Sequence, residues 1–294
     1  MAEPIRRNPA DAVRLGTRAR PPSDLYYDLM RRPWRWLIAF LAAVFVLANL
    51  SFALLYSLQP DGFHGSDHIG FREGFDFSVQ TFATIGYGAL SPKTLYTNLL
   101  VTTEALAGII YSAIATGLVF SKFSRPSARV LFSEPMVVTR RNGRPYLQFR
   151  LANARGNELV EASLRVTMLK TETTTEGHAM RRLYEMKLDR AMTPLFTLSW
   201  LVMHEIDEHS PMFGEDAASL QADEALFIVT LTGIDSTFAQ TVHARRFYEF
   251  HDIRWDHHFV DIITPHPSGQ LQMDLGKFHH IVPDASEASV NADE

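Results

Sequence analysis

The stretch Thr84-Ile85-Gly86-Tyr87-Gly88 constrains this chain more than any other five residues. Glycine at alternate positions lets a backbone switch between ordinary and left-handed conformations without a Cβ clash. A loop built that way can aim successive carbonyl oxygens at one axis, and copies of it around that axis form stacked rings of oxygen. Such rings replace the hydration shell of a bare cation. Alone, the five residues also suit a glycine-containing turn, so their setting decides between the two.

The setting is two apolar runs. Residues 36–58 hold no charged side chain, and only Asn49 and the serines are strongly polar. Residues 95–120 carry one charge, Glu104. Each is long enough for a helix rising 1.5 Å per residue to cross a hydrocarbon layer of about 30 Å. The first run starts too deep in the chain for a signal peptide, and its apolar part is too long. Between them, residues 74–84 are apolar on one face but too short to span, which predicts a re-entrant helix. Irregular backbone after such a helix is tolerated only where protein buries it or it lines a water-filled path. The negative end of the helix dipole would face the membrane centre, where a cation loses its water. Outer helix, pore helix, filter and inner helix make a pore module with a potassium-type filter.

Basic residues orient the module. Arg6, Arg7, Arg14, Arg18, Arg20, Arg31, Arg32 and Arg35 precede the first span, and Lys122, Arg125 and Arg129 follow the second. The intervening loop has only Arg72 and Lys93 against Asp61, Asp67, Glu73 and Asp76. Positive residues stay on the cytoplasmic side, so both termini are expected inside.

With 294 residues, the chain has room for this pore and one further domain. Its net charge of −5 argues against a nucleic-acid partner. It holds no cysteine, which excludes disulfides, thiol catalysis and Cys-ligated zinc. None of its histidines form a metal-ligand spacing, and the pairs His257-His258 and His279-His280 would point apart on a strand. Beyond residue 126 the pattern alternates. A strand–turn–strand is read over 137–151 about Asn142-Gly143, with Leu147, Phe149 and Leu151 set against polar neighbours. Further strands are read over 162–168, 195–204, 226–232, 241–250 and 259–264, with one helical piece near 215–222. Short strands at such intervals predict an antiparallel, immunoglobulin-like β-sandwich. No phosphate loop, nucleophile elbow or partnered carboxylate pair is present, so an enzyme is not expected. The organisation read is an amino-terminal arm over 1–33, a transmembrane pore domain over 34–126, a β-sandwich over 127–284 and a disordered tail over 285–294.

From about residue 25 to 281 the chain resembles the bacterial inward-rectifier potassium channels (the KirBac group). The likeness rests on Trp34-Arg35-Trp36, SVQTFATIGYG, TGLVFSKFSRP, RLANARGNELVEA, MHEIDEHSPMFGE, FAQTVHARRFY and DLGKFH. It implies a homotetramer in a bacterial inner membrane, with a cytoplasmic sandwich that extends the ion path and takes part in gating. The permeant ion would be K+, held at Thr84, Ile85, Gly86, Tyr87 and Gly88, with no organic cofactor. Residues 24–31 would be an interfacial slide helix. Phe120 falls where the family narrows its pore at the inner-helix crossing. Gly108 lies where an inner helix bends, or where a small residue packs closely. Gln80 stands where many relatives carry a glutamate, and Leu90 where its basic partner would be. Filter support is therefore expected from the Gln80 amide and from Glu104 packed behind the filter. Ser112 replaces the cavity carboxylate of strong rectifiers, so rectification is expected to be weak, with polyamines or divalent cations as the candidate blockers. Arg35, Lys122, Arg125 and Arg129 suit anionic phospholipids or phosphoinositides, or serve as membrane anchors only.

Overall fold

The computed structural model describes residues 25–124, 128–265 and 271–284, in two compact units divided near residue 125. Asp24, the arginines at 6, 7, 14, 18 and 20, Arg125 and the expected tail over 285–294 lie outside the described residues.

The first unit is helical. α1 (Leu25–Arg31) is separated from α2 (Trp34–Tyr56) by Pro33, whose extended backbone and missing N–H keep the two from merging. α3 (Phe71–Phe82) starts three residues earlier than the apolar face suggested and stops two earlier. α4 (Leu95–Phe123) opens on a reciprocal cap between Thr94 and Thr97 and runs three residues past the expected end. The segments on either side of α3 are tied by a short antiparallel pair, β1 (Phe63–His64) and β2 (Ser91–Pro92). Most of the surface of α2 and α4 is exposed, including Leu47, Leu54, Leu99, Leu106 and Ile109. Two long apolar helices with so little burial are suited to a hydrocarbon solvent rather than to the core of a soluble protein.

Leu29, Met30 and Leu37 form one small buried cluster with Leu118, and most of the remaining packing holds α3. Tyr56, Phe63 and Phe77 meet edge to face, with centroids 5.0–5.4 Å apart. At the other end of α3, Phe82 lies against Phe45 of α2 and Tyr111 of α4 at 5.6 and 5.4 Å. Aromatic pairs in this geometry add about 0.5–1.5 kcal/mol each beyond their buried area.

The second unit is a β-sandwich. In chain order its strands are β3 (Val130–Phe132), β4 (Met136–Arg141), β5 (Arg144–Asn153), β6 (Leu159–Thr173), β7 (Ala179–Met186), β8 (Met192–Phe196), β9 (Ser199–Glu205), β10 (Leu226–Asp235), β11 (Gln240–Glu249), β12 (Ile253–Trp255), β13 (His257–Phe259), β14 (Ile263–Pro265), β15 (Leu271–Met273) and β16 (Ile281–Pro283). One sheet runs β11-β10-β6-β7, with β8 also on β6. The other runs β12-β4-β5-β3, with β9 also on β5. Their facing sides supply the core: Phe149, Leu151, Trp200 and Val202 from one, Leu164, Val166, Phe227, Val229 and Tyr248 from the other. The β4–β5 turn has positive φ at both Asn142 and Gly143 (51° and 78°), which matches the right-handed twist of its strands. α5 (Ala217–Ala222) is capped by the Asp216 carboxylate, which accepts from the Ala218 and Ser219 amides.

The sheets differ from the sequence reading in three ways. First, β12 lies parallel to β4, so the sandwich is not wholly antiparallel. A 3₁₀ turn over Phe250–Asp252 re-aims the chain as it leaves β11 and sets that direction. Second, the run 195–204 divides into β8 and β9 in different sheets, and 259–264 into β13 and β14. Third, β5 is buried on both faces. Residues 259–262 and 277–280 cover its outer side, where Arg150 donates to the carbonyls of Phe278, Val260, Lys277 and His280 at 2.6–3.2 Å. Its guanidinium also lies 4.4 Å from the Phe259 ring centroid. Burial pulls that guanidinium down to about 10, so it stays charged at neutral pH.

Candidate ion-conduction site

The loop after α3 departs from ordinary backbone at every second residue. Thr84, Gly86 and Gly88 have φ of 58°, 61° and 78°. The left-handed series thus begins one step before the first glycine, at Thr84, a residue type that rarely takes this conformation. Alternation of this kind is what a row of carbonyls facing one way requires. Ile85 and Tyr87 are exposed within the single chain, at 49% and 76%.

The loop is braced from α3 by a main-chain oxygen. The Gln80 carbonyl accepts from the Ile85 amide at 2.7 Å and from the Gly86 amide at 3.2 Å. The Gln80 side-chain amide, expected to supply this support, makes no hydrogen bond among the described residues. A carbonyl near the end of a short helix has no intrahelical partner and is free for the task.

Behind α3 sits a buried polar network that joins three helices. The Tyr56 hydroxyl of α2 donates to one Glu104 oxygen, and the Ser78 hydroxyl of α3 lies in hydrogen-bond contact with the other. Ser78 Oγ also lies 3.0 Å from Asn49 Oδ1, and the Asn49 amide donates to the Phe45 carbonyl at 2.7 Å. Asn49, Ser78 and Glu104 are fully buried. Sequence reasoning placed Glu104 behind the filter but missed Asn49, Tyr56 and Ser78. The available signal was polar side chains inside otherwise apolar runs.

Two family models match the chain: an ion channel family over residues 36–125, and the inward rectifier potassium channel C-terminal domain over 130–294. The chain is 42% identical over 258 residues to the inward rectifier potassium channel Kirbac3.1 of Paramagnetospirillum magnetotacticum, covering 88% of each. It is 28% identical to the human inward rectifier potassium channel 18, over 87% of this chain and 64% of that one. It is 30% identical to the mouse G protein-activated inward rectifier potassium channel 3, over 87% of this chain and 71% of that one. The chain belongs to the inward rectifier potassium channel family. It is a membrane protein and a potassium channel rather than an enzyme.

Other residues singled out in this channel fall as follows. Ser112 and Phe120 lie on α4 and are exposed in the single chain, Phe120 at 68%. α4 is unbroken at Gly108, where a Cβ would come within 2.3 Å of the Phe82 carbonyl oxygen. Of the two roles open to Gly108, the geometry supplies close packing. Lys122 is not a free surface cation. Its ammonium donates to the Leu29 and Arg32 carbonyls at 2.7 and 2.6 Å, capping the end of α1, and lies 5.6 Å from the Trp34 ring. Arg35 and Arg129 are exposed. Arg32 lies over the Trp36 ring at 4.9 Å, beside a cavity of about 380 Å³ lined by Leu25, Leu29, Ala39 and Phe40.

Gly86 offers a direct check on the loop. No atom lies within 4 Å of a Cβ built there, so Gly86→Ala meets only the left-handed backbone, at about 1–2 kcal/mol per subunit. Loss of potassium-over-sodium discrimination is expected in Rb+ and Na+ uptake by liposomes holding the assembled variant. An unaltered ratio would show that the loop tolerates the strain.

Proposed function

We propose that four copies of this chain surround one axis, with Thr84, Ile85, Gly86, Tyr87 and Gly88 coordinating K+ between the inner-helix cavity and the outer mouth. The observation that carries this reading is the alternating backbone at 84, 86 and 88 hung from the Gln80 carbonyl. A single copy leaves that irregular segment without the protein wall that a bilayer demands, and neighbouring copies supply one. Both termini then lie in the cytoplasm of a bacterial cell, by the arginine excess before α2. The sandwich extends the path on that side and biases the gate. Phe120, large and apolar ahead of Lys122, closes the path by dewetting. Purified channel in liposomes is expected to take up Rb+ and exclude Na+, with Phe120→Ala raising Rb+ flux. Equal Rb+ and Na+ uptake by the parent would sink the filter assignment. Unchanged flux in Phe120→Ala would move the gate elsewhere.

Anionic lipid headgroups act on Arg35, Lys122, Arg125 and Arg129, each basic residue adding on the order of 1 kcal/mol at a charged surface. Two of the three Lys122 donors are held by Leu29 of α1 and by Arg32 just past it, so a headgroup reaching Lys122 also reaches the end of that helix. Exposed Tyr26 and Tyr27 on α1, with Trp34 and Trp36 at the head of α2, suit this end of the unit to the interface. Replacing Lys122 and Arg125 together by alanine is expected to blunt the flux response to a phosphoinositide titration. A response identical to the parent's would leave these residues as anchors only.

Rectification is weak in this reading. Strong block of outward current needs a multivalent cation held in the cavity by carboxylates. Four copies of one such residue would place a charge of about −4 in poorly screened space. Ser112 offers a hydroxyl there, and Glu104 is turned away into the network behind α3. Ser112→Asp is expected to create steep voltage-dependent block by internal spermine. Steep block of the parent at micromolar spermine would place the attracting field in the sandwich domain instead.

A further inference from the structure

The network behind α3 has one hydrogen too few if Glu104 is a carboxylate. Asn49 fixes the count. Its contact with the Phe45 carbonyl at 2.7 Å needs the amide nitrogen on that side, which leaves Oδ1, an acceptor only, facing Ser78. Turning the amide over would set two carbonyl oxygens against each other at that distance. Ser78 then lies between Asn49 Oδ1 and Glu104 Oε1 with a single hydroxyl hydrogen. An ionised Glu104 would leave one of those contacts as oxygen against oxygen in a dry site. No basic side chain pairs with Glu104 among the described residues, and its relative exposure is 0%.

We infer that Glu104 is present as a neutral carboxylic acid whose O–H donates to Ser78, completing a one-way relay of hydrogen bonds that positions the filter. Glu104 O–H donates to Ser78, Ser78 to Asn49 and Asn49 to the Phe45 carbonyl, while Tyr56 donates to the second Glu104 oxygen. Each of its three O–H groups then donates once and no two lone pairs face each other, as a buried network requires. The relay ties α2, α3 and α4 together two residues before Gln80, whose carbonyl holds the Ile85 and Gly86 amides. Glu104 thus acts through Ser78 and Gln80 and is a positioning residue, not one that touches the ion. A neutral relay takes the place of the ion pair for which Gln80 and Leu90 leave no charges. The inference rests on the filter reading above only for its effect on selectivity.

The test compares the full-length parent with Glu104→Gln, Glu104→Ala, Tyr56→Phe and Ser78→Ala, each assembled in liposomes. Glutamine keeps a donor toward Ser78 and an acceptor toward Tyr56, so Glu104→Gln is expected to hold the Rb+/Na+ uptake ratio within about threefold of the parent. Glu104→Ala is expected to lose roughly tenfold in that ratio, the scale of one buried hydrogen bond left unmade. Tyr56→Phe and Ser78→Ala should fall between, and they carry the comparison if Glu104→Ala does not assemble. The infrared spectrum of the parent should show a protonated-carboxyl stretch that Glu104→Gln lacks. A Glu104→Gln ratio as poor as that of the alanine variant, or the absence of that band, would mean the carboxyl is charged. An unchanged ratio in Glu104→Ala, or in both single-bond variants, would remove the positioning role. A parent that passes Na+ as readily as Rb+ would refute the filter assignment instead, and the infrared band would still decide the state of Glu104.

Discussion

Inside a hydrocarbon layer a backbone amide that leaves regular structure has no water to fall back on, and each unpaired group costs several kcal/mol. The loop after α3 meets that demand through one oxygen. The Gln80 carbonyl takes the amides of Ile85 and Gly86, so the loop is hung from the end of a helix and not from a side chain. A helix that carries a strained loop must itself be immobile. The interlocked rings of Tyr56, Phe63 and Phe77, the β1–β2 tie and the contact of bare Gly108 with the Phe82 carbonyl all act on α3. Much of the surface of the long helices stays exposed within the single chain, apolar faces that suit lipid.

The carboxy-terminal sandwich depends on a different constraint, the satisfaction of polar groups in a two-sided core. The sequence motifs that mark the family sit where that satisfaction is made. Asn157 of the RLANARGNE stretch donates to buried Asp235 at 2.8 Å. His204 of MHEIDEHSP bridges the Lys187 carbonyl and Ser210 at 2.7 Å each, and burial lowers its tendency to take a proton. Tyr248 of FAQTVHARRFY reaches the Ser133 carbonyl at 2.8 Å. Phe278 of DLGKFH lies under Arg150. These residues join distant strands, so the sandwich is packed as one rigid body of its own.

Local pattern made much of this legible. Two apolar runs, a short amphipathic helix and alternate glycines require no knowledge of distant contacts, and α2, α3 and α4 lie within three residues of where those patterns place them. The Asn142-Gly143 hairpin and the alternation along β6 and β10 were readable for the same reason. What stayed hidden depends on residues far apart in sequence. Arg150 looks like the solvent face of a strand until residues 259–262 and 277–280 close over it. Lys122 looks like a surface cation until it caps a helix some 90 residues earlier. Gln80 invited an argument about its amide, whereas its carbonyl matters, and no side-chain identity reports on a main-chain oxygen.

The placing of polar groups along the spans also sets what a cation can feel as it crosses. Ser51, Thr102 and Thr103 return their hydroxyls to carbonyls of their own helices at 2.8 Å, so they present little free polarity to anything else. Glu104 is the one carboxyl or basic side chain within α4 between its first residue and Lys122, and it is consumed in joining three helices. The inner helix therefore gives the cavity hydroxyl dipoles and no fixed charge. Attraction for a dehydrating ion must come from the C-terminal end of α3 and from the loop carbonyls themselves, dipoles that a low-dielectric setting strengthens. Such a field weakens steeply with distance. In the filter proposed above, it would hold a small monovalent ion at the loop while giving a long multivalent cation little reason to lodge below it.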